Sequence, residues 1–464
     1  MNIILWHRND LRVHDLPALA DAVNDGDNVI PVFILNDTLL AGKNAGSNRN
    51  RFLLEALTDL RNNYRKIGGD LIIRNGDPSD VLATLASESS ADTIYVTTDY
   101  SPYSVKRDED VRASLATKSI NFISYGGRLA VDEFDSIRTK AGTVHKVFTP
   151  FWKTWSSVTR RPVLEVPKLL NFPKNIATDN LPELSNITSR DDLSPEALLG
   201  GETAGRQNLE EWLGHGIAQY DKIHNDLAAD ATSHISPYLH FGCLSVREIE
   251  LRLPDNEGAR AWHRQLAWRE FYNYVLFYSP TNTSQEFQEK YRSLQWGQNR
   301  KDLEKWQLGM TGYPIVDAAM RQLKQTGWMH NRARLIVGSF FTKDLWLDWR
   351  LGERYFMKML VDGDTANNNG NWQWIASVGV DPAPVYRRLY NPASQAKNYD
   401  PTGAYIRRFV PELTHVPDAY LAEPHLMPLN IQESAGCIIG RDYPIPMVDH
   451  KAARIAALER YRNV

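Results

Sequence analysis

A chain of 464 residues with 42% hydrophobic content is long enough for two or three domains with large cores, and it needs no covalent staples to fold. Its two cysteines, Cys243 and Cys437, exclude a disulfide scaffold, a four-cysteine zinc site and an all-cysteine iron–sulfur cluster, and fit a reducing compartment. The net charge of −3 argues weakly against a polyanion partner; with no basic leader before "MNIILWHRNDLR" and no apolar run of roughly 18 residues, a cytoplasmic protein free of the membrane is expected.

The first 130 residues alternate strand-like and amphipathic runs: "NIILWHR", "ALADAV", "NVIPVFIL", "RFLLEALTDLRNNYRKIG", "DLIIRNG", "DVLATLA", "DTIYVTT", "VKRDEDVRASLAT" and "INFISYG". Continuous apolar strands separated by helices predict a doubly wound, Rossmann-like α/β domain with a parallel sheet over residues 1–130. The G-x-G-x-x-G that marks a dinucleotide site after a first strand is missing. Residues 131–204 are expected to be a connector: from about Arg160 to Ala204 the pattern dissolves into "RRPVLEVPKLLNFPKN" and "SRDDLSPEALLGGE". Beyond it, "GRQNLEEWLGHGIAQY", "ARAWHRQLAWREFYNYVLFY" and "PIVDAAMRQLKQTGW" place apolar residues at helical spacing, so 205–464 is expected to be a larger all-α domain.

Charge is spread unevenly. Between Ala261 and Val410 there are 20 Lys+Arg against 13 Asp+Glu, together with nine of the thirteen tryptophans. Basic charge interleaved with aromatics is the composition of a nucleic-acid groove; a salt-bridged helical face accounts for the charge, but less well for the tryptophans.

Four groups of residues point to chemistry. In "AWHRQLAWREFYNY", Trp262, Gln265, Trp268 and Arg269 fall close to one helix face, a mixture suited to a polar ligand with aromatic rings. Thr232 and Ser233 of "TSHISPYLHFG" stand before a helix-like run, where they can grip a phosphate or simply cap the helix. "GWMHNRARL" supplies Asn331, Arg332 and Arg334, and Asp362 and Asp364 follow in "DGDTANNNGNWQW", so Arg–Asp pairs can enclose a charged ligand. In that last stretch Trp372 and Trp374 read equally as core anchors or as site residues.

The block "TGYPIVDAAMRQLKQTGWMHNRARLIVGSFFTKDLWLDWRLGERYFMKMLVDGD", the "WREFY" helix, "TSHISPYL" and the opening "LWHRNDLRVHD" resemble the photolyase and cryptochrome family over nearly the whole chain. The resemblance is greatest to class I cyclobutane pyrimidine dimer (deoxyribodipyrimidine) photolyases. It implies FAD in a bent, U-shaped form, held by Tyr220, Thr232, Ser233, Ser236, Trp262, Arg269, Trp328, Asn331, Arg334, Asp362 and Asp364, with Asn368 facing flavin N5. It implies that light moves an electron from anionic reduced FAD to a flipped-out dimer, whose ring opens before the electron returns. Gln265, Trp268, Arg332, Leu335 and Trp374 match contacts to the lesion in ultraviolet-damaged DNA. Trp372, Trp349 and Trp296 match a chain of tryptophans through which oxidised flavin is photoreduced.

Some positions depart from the pattern of dimer photolyases. Gln265 replaces a glutamate, keeping hydrogen bonding but not proton exchange; Leu335 replaces a methionine, a largely volume-conserving change; His224 falls where an arginine is frequent. Asn367 and Asn371 also differ, with no role assigned. Glutamine at 265 is typical of 6-4 photoproduct photolyases, but Asn331 and Leu335 stand where those enzymes carry a histidine pair, and His330 is common to both branches. An antenna chromophore is implied as well: "TTDYSPYSVKRDEDV" resembles the 8-hydroxy-5-deazaflavin or flavin types more than the methenyltetrahydrofolate type, with Asp99 as a contact. The alternatives to dimer repair are a cryptochrome-like blue-light photoreceptor, 6-4 repair, and a DNA-binding flavoprotein without catalysis. A signalling cryptochrome usually adds a C-terminal extension, whereas this chain ends at "AALERYRNV", which favours repair; a monomer with no metal and no obligatory protein partner is what the resemblance implies.

Overall fold

The computed structural model describes residues 1–36, 40–42, 45–173, 175–188 and 193–464, so parts of the expected connector lie outside the described residues. Each of the five strand-like runs forms a strand: β1 (Asn2–His7), β2 (Asn28–Leu35), β3 (Ile72–Asn75), β4 (Ala91–Thr97) and β5 (Asn121–Tyr125). They make one sheet of order β3-β2-β1-β4-β5 with every pairing parallel. β1 is central and buried along its length from Ile3 to His7, as befits a strand with helices on both faces. The covering helices are α1 (Pro17–Asp25), α2 (Ser47–Lys66), α3 (Pro78–Ser89) and α4 (Pro102–Ala116). Asp77 and Ser101 cap the last two by accepting the N–H groups of Ser79 and Ser104, each cap contributing about 1 kcal/mol. The strand order switches between β1 and β4, from which the chain is wound to opposite edges of the sheet.

The second half is helical. Its site-building members are α7 (Glu257–Tyr278), α8 (Pro314–Thr326), α9 (Asn331–Ser339), α10 (Trp349–Met359) and α11 (Thr365–Ile375), preceded by α5 (Phe148–Ser157) and α6 (Glu202–Glu211). α5 falls inside the segment expected as a connector. The run "GRQNLEEWLGHGIAQY", expected as one helix, continues from α6 as a π turn at Trp212–Gly216 and a 3₁₀ turn at Ile217–Gln219. The Trp212 indole folds over Gly216, where an added Cβ would come within 2.2 Å of the ring, and the wider turn makes that room. No helix among the described residues is long and apolar enough to cross a membrane.

Buried polar staples join the sheet to the helices. The Arg12 guanidinium donates to the carbonyls of His14, Asp15, Gly127 and Gly242. Glu270 of α7, fully buried, accepts the N–H groups of Ala130 and Val131 and, at 2.6 Å, the indole N–H of Trp155. Burial pushes the Glu270 carboxyl from 4.5 up to about 7, outweighing those donors. A folded value above the unfolded one means that this group contributes stability below pH 4.5 that is lost as pH climbs through about 7, an effect of about 3 kcal/mol. Glu353 behaves in the same sense and window. Across that range Glu270→Gln should therefore lose less of its stability with rising pH than wild type does, as read from denaturation midpoints; parallel pH profiles would refute the assignment.

Candidate functional site

The loop between α10 and α11 carries both candidate aspartates, and it is pinned where the Val361 N–H donates to the Gly327 carbonyl at 2.8 Å. Gly327, with φ 65°, ends α8 in the left-handed conformation that glycine favours. Asp362 Oδ2 accepts from Ser236 Oγ at 2.6 Å and from Arg334 Nη2 at 2.8 Å, while Arg334 Nε donates to the Met329 carbonyl at 2.7 Å. The Trp328 indole N–H reaches Ser236 Oγ at 3.4 Å. Asp364 caps α11, accepting the backbone N–H and the side-chain amide of Asn367, both at 2.8 Å. Arg128 lies 3.3 Å from its carboxylate and the His240 ring 3.6 Å. Burial alone would raise the Asp364 carboxyl, but His240, Arg128 and the Asn367 N–H hold it well below the usual carboxylate range. Asn367 thus gains a role in the cap, and Asn371 donates to its carbonyl one turn on.

Around this floor stand polar atoms that are buried and unmatched. Thr232 Oγ1, Arg269 Nη1 and Asp362 Oδ1 have no hydrogen-bond partner among the described residues. Arg269 spends its other terminal nitrogen on the Leu239 carbonyl at 2.9 Å, and burial lowers it to about 10. Leaving such groups unmade costs about 1–3 kcal/mol each, so the arrangement suits a ligand bearing phosphates and hydroxyls. Trp262 donates to Ser233 Oγ at 3.4 Å; Tyr220 stacks on its neighbour His224 at 4.8 Å, and the turn that carries it, Tyr220–Ile223, packs on α7. Asn368, nine-tenths buried, donates its amide nitrogen to the Glu353 carbonyl at 2.9 Å, so its oxygen remains as the acceptor. Asn331 is exposed, and Arg332 is engaged by Asn225 Oδ1 at 2.8 and 3.1 Å and by the Tyr399 ring.

Two aromatic rings flank the exposed Gln265 side of α7. Trp268 stacks on Phe148 with centroids 3.8 Å apart and planes 7° from parallel. Trp374 lies under the Arg388 guanidinium at 3.8 Å, and its indole N–H reaches Asp381 Oδ2 at 3.4 Å. Asp381 Oδ1 accepts the Phe148 N–H at 3.2 Å, so one carboxylate ties both aromatics together. Leu335 is half-buried beside the same helical core. Phe148 and Asp381 carried no usable signal in the sequence: one lies in an expected connector, the other in a loop.

The three candidate redox tryptophans have unlike surroundings. Trp372 is packed by Trp306, Phe341 and Phe356. It also lies on Gly352 of α10, where an added Cβ would meet the indole at 2.2 Å. Trp349, one turn earlier on that helix, and Trp296 both donate to Glu286 Oε1, at 3.1 and 3.2 Å. Gly352→Val should force the Trp372 indole aside. The variant should lose stability, since overpacking a filled core costs about 1–3 kcal/mol, and its thermal midpoint should fall; an unchanged midpoint would mean that the indole has room to move.

Family models place this geometry. The FAD binding domain of DNA photolyase matches residues 262–463, and the DNA photolyase model matches residues 3–169. The chain belongs to the photolyase and cryptochrome family. It is 38% identical to the deoxyribodipyrimidine photo-lyase of Streptomyces griseus, over 99% of each chain. Among solved structures it resembles a bacterial class III photolyase from Agrobacterium tumefaciens, with a TM-score of 0.93 and 34% identity over 100% of this chain and 97% of that one. It likewise resembles a Synechocystis cryptochrome, with a TM-score of 0.92 and 28% identity over 99% and 98%. The flavin-domain match begins at Trp262 and covers the part of the site built by α7 to α11. In the photolyase sheet domain, a cleft of 680 Å³ opens at the carboxyl ends of β2 and β3, lined by Asn36, Asp77, Tyr103, Lys106 and Arg107 among others. Asp99 does not line it; its buried carboxylate pairs with Arg128 and accepts from Asn9 at 3.1 Å. Among the described residues no cluster could hold a metal ion.

Proposed function

We propose that the chain is a light-driven deoxyribodipyrimidine photo-lyase that splits cyclobutane pyrimidine dimers in damaged DNA. The observation that carries this reading is the set of buried, unmatched Thr232, Arg269 and Asp362 atoms lying within a photolyase-type framework. FAD, bound and reduced, supplies the photoexcited electron that opens the dimer. Thr232, Ser233, Ser236 and Arg269 hold its phosphates and hydroxyls, Tyr220, Trp262 and Trp328 enclose it, and Asn331 lies at its exposed edge. Arg334, balanced by Asp362, steadies negative charge near the ring without standing as an unpaired buried cation. With its amide nitrogen spent on the Glu353 carbonyl, Asn368 would offer its oxygen as the acceptor for a protonated flavin N5.

On the DNA side, Trp268 and Trp374 pack against a flipped-out lesion, and Gln265, Arg332 and Leu335 complete its pocket. A lesion that is already poorly stacked costs less to extrude. Trp372, Trp349 and Trp296 supply electrons to oxidised flavin. The sheet cleft near Tyr103, Lys106 and Arg107 suits a second chromophore of deazaflavin or flavin type. The division into residues 1–130, 131–204 and 205–464, and action as a monomer in the cytoplasm, complete the reading.

The test is blue-light conversion of oligonucleotides carrying one defined lesion, by reduced protein. Dimer substrate should be restored to two pyrimidines and binding should weaken steeply as salt rises. Restoration of neither lesion would refute repair. The exposed glutamine at 265 supports a second reading, repair of the 6-4 photoproduct, which the same assay distinguishes by which oligonucleotide is converted.

A further inference from the structure

The environments of the three tryptophans differ in charge, and that difference has a direction. Trp372 is surrounded by aromatic rings. Trp349 and Trp296 share Glu286 Oε1 through their indole N–H groups, and Arg350 Nη2 donates to Glu286 Oε2 at 2.8 Å. Glu286 is only 4% exposed, so solvent does little to screen it. Burial alone would raise its carboxyl, but the hydrogen bonds from Trp349 and Arg350 hold it below its ordinary value, and it is therefore ionised at neutral pH. The Arg350 guanidinium stands 4.6 Å over the Trp349 ring. Trp296 receives the carboxylate, and among the described residues no cation stands over its own ring; the ring stacked on it, Trp346, lies under Arg460 at 4.6 Å.

We propose that Glu286 is a positioning residue that makes electron flow along these tryptophans one-way, drawing the positive charge left behind outward to Trp296 and keeping it there. The proposal rests on the reading of the three tryptophans as the electron supply. One electron passes from Trp372 to the bound flavin, one from Trp349 to Trp372, and one from Trp296 to Trp349. The net change is one electron lost by Trp296 and one gained by the flavin, and no bond is made or broken. At Trp372 the indole meets aromatic rings; at Trp349 a positive indole is helped by Glu286 but opposed by Arg350, and at Trp296 it is helped by Glu286. Fixed charge therefore favours Trp296 over Trp349, and so the distal end of the row.

Glu286→Gln keeps a hydrogen-bond acceptor and removes the charge. In FAD-loaded protein, flash absorption should show the distal tryptophan radical decaying about tenfold faster or more, as expected for loss of a unit charge in direct contact. The double variant Glu286→Gln/Arg350→Gln removes both charges without leaving an unpaired arginine, and it should also lose the long-lived radical. A readout independent of the flavin is oxidation of Trp296 by a photogenerated ruthenium(III) polypyridyl complex, with Trp296→Phe as the blank; Glu286→Gln should slow it. Wild-type lifetimes and oxidation rates in both variants would overturn the proposal. If Trp372→Phe leaves photoreduction intact, the electron-supply reading itself fails. If Trp372→Phe abolishes photoreduction while Glu286→Gln behaves as wild type, only the role of Glu286 falls.

Discussion

Asp362→Ala is expected to give a folded protein that no longer retains flavin. The carboxylate is the shared acceptor for Ser236 and Arg334, and its side chain is 4% exposed against 27% for Arg334. Removing one member of a buried charged pair leaves the other without compensation, which costs about 3–5 kcal/mol. Arg334 has some access to water, so the low end applies and the thermal midpoint should fall; flavin affinity should fall as well, because Ser236 and Arg334 lose their common anchor. Asp362 lies in a loop rather than inside a helix, so the fold should survive. The check is the flavin-to-protein ratio after purification, followed by titration of the stripped protein with FAD. Asp362→Asn keeps an acceptor for Ser236 but leaves the arginine charge unanswered, and it should fall between the two. Stoichiometric flavin in the alanine variant would remove Asp362 from the binding set.

Asp364→Ala should lower stability and flavin retention together. It removes the cap of α11, worth about 1 kcal/mol, and one of the two carboxylates beside the buried Arg128 guanidinium, for a combined cost of about 3 kcal/mol. Because its folded value lies below 3.8, the contribution of Asp364 is fully present above that pH and is lost as pH falls towards the depressed folded value. Thermal midpoints of wild type and variant should therefore differ most near neutrality and converge in acid. Asp364→Asn preserves the cap and isolates the electrostatic part. A pH-independent difference between wild type and the alanine variant would leave only the cap.

The strands were legible because burial on both faces makes them continuous apolar runs: "NVIPVFIL" is β2 to the residue. The helix α7 was legible from its period, and Asp77 and Ser101 cap helices as their residue types favour. What the sequence hid depends on partners far along the chain. Phe148 becomes part of the aromatic wall only because Trp268, 120 positions on, lies flat against it. Gly352 looks like a weak point in a helix until the Trp372 indole is seen to occupy the space of its missing side chain. Glu286 lies in a short polar segment with nothing local to mark it, and its meaning comes from Trp296 and two residues of α10. The pairing of Asp99, the expected antenna contact, with Arg128 is likewise invisible in the sequence.

That arginine has a consequence for the life of the protein before it meets light. Arg128 contacts Asp99 at the end of β4 and Asp364 at the start of the helix that carries Asn368 and Trp372. A ligand that orders the second contact therefore also steadies the first, and saturation by a ligand at a thousand times its dissociation constant adds about 4 kcal/mol to the folded state. Newly made chains lacking flavin would open at the sheet and the helices together, and would be the ones that cellular proteases remove. Supply of the cofactor would then act on how long each chain lasts, alongside how fast the chain is synthesised.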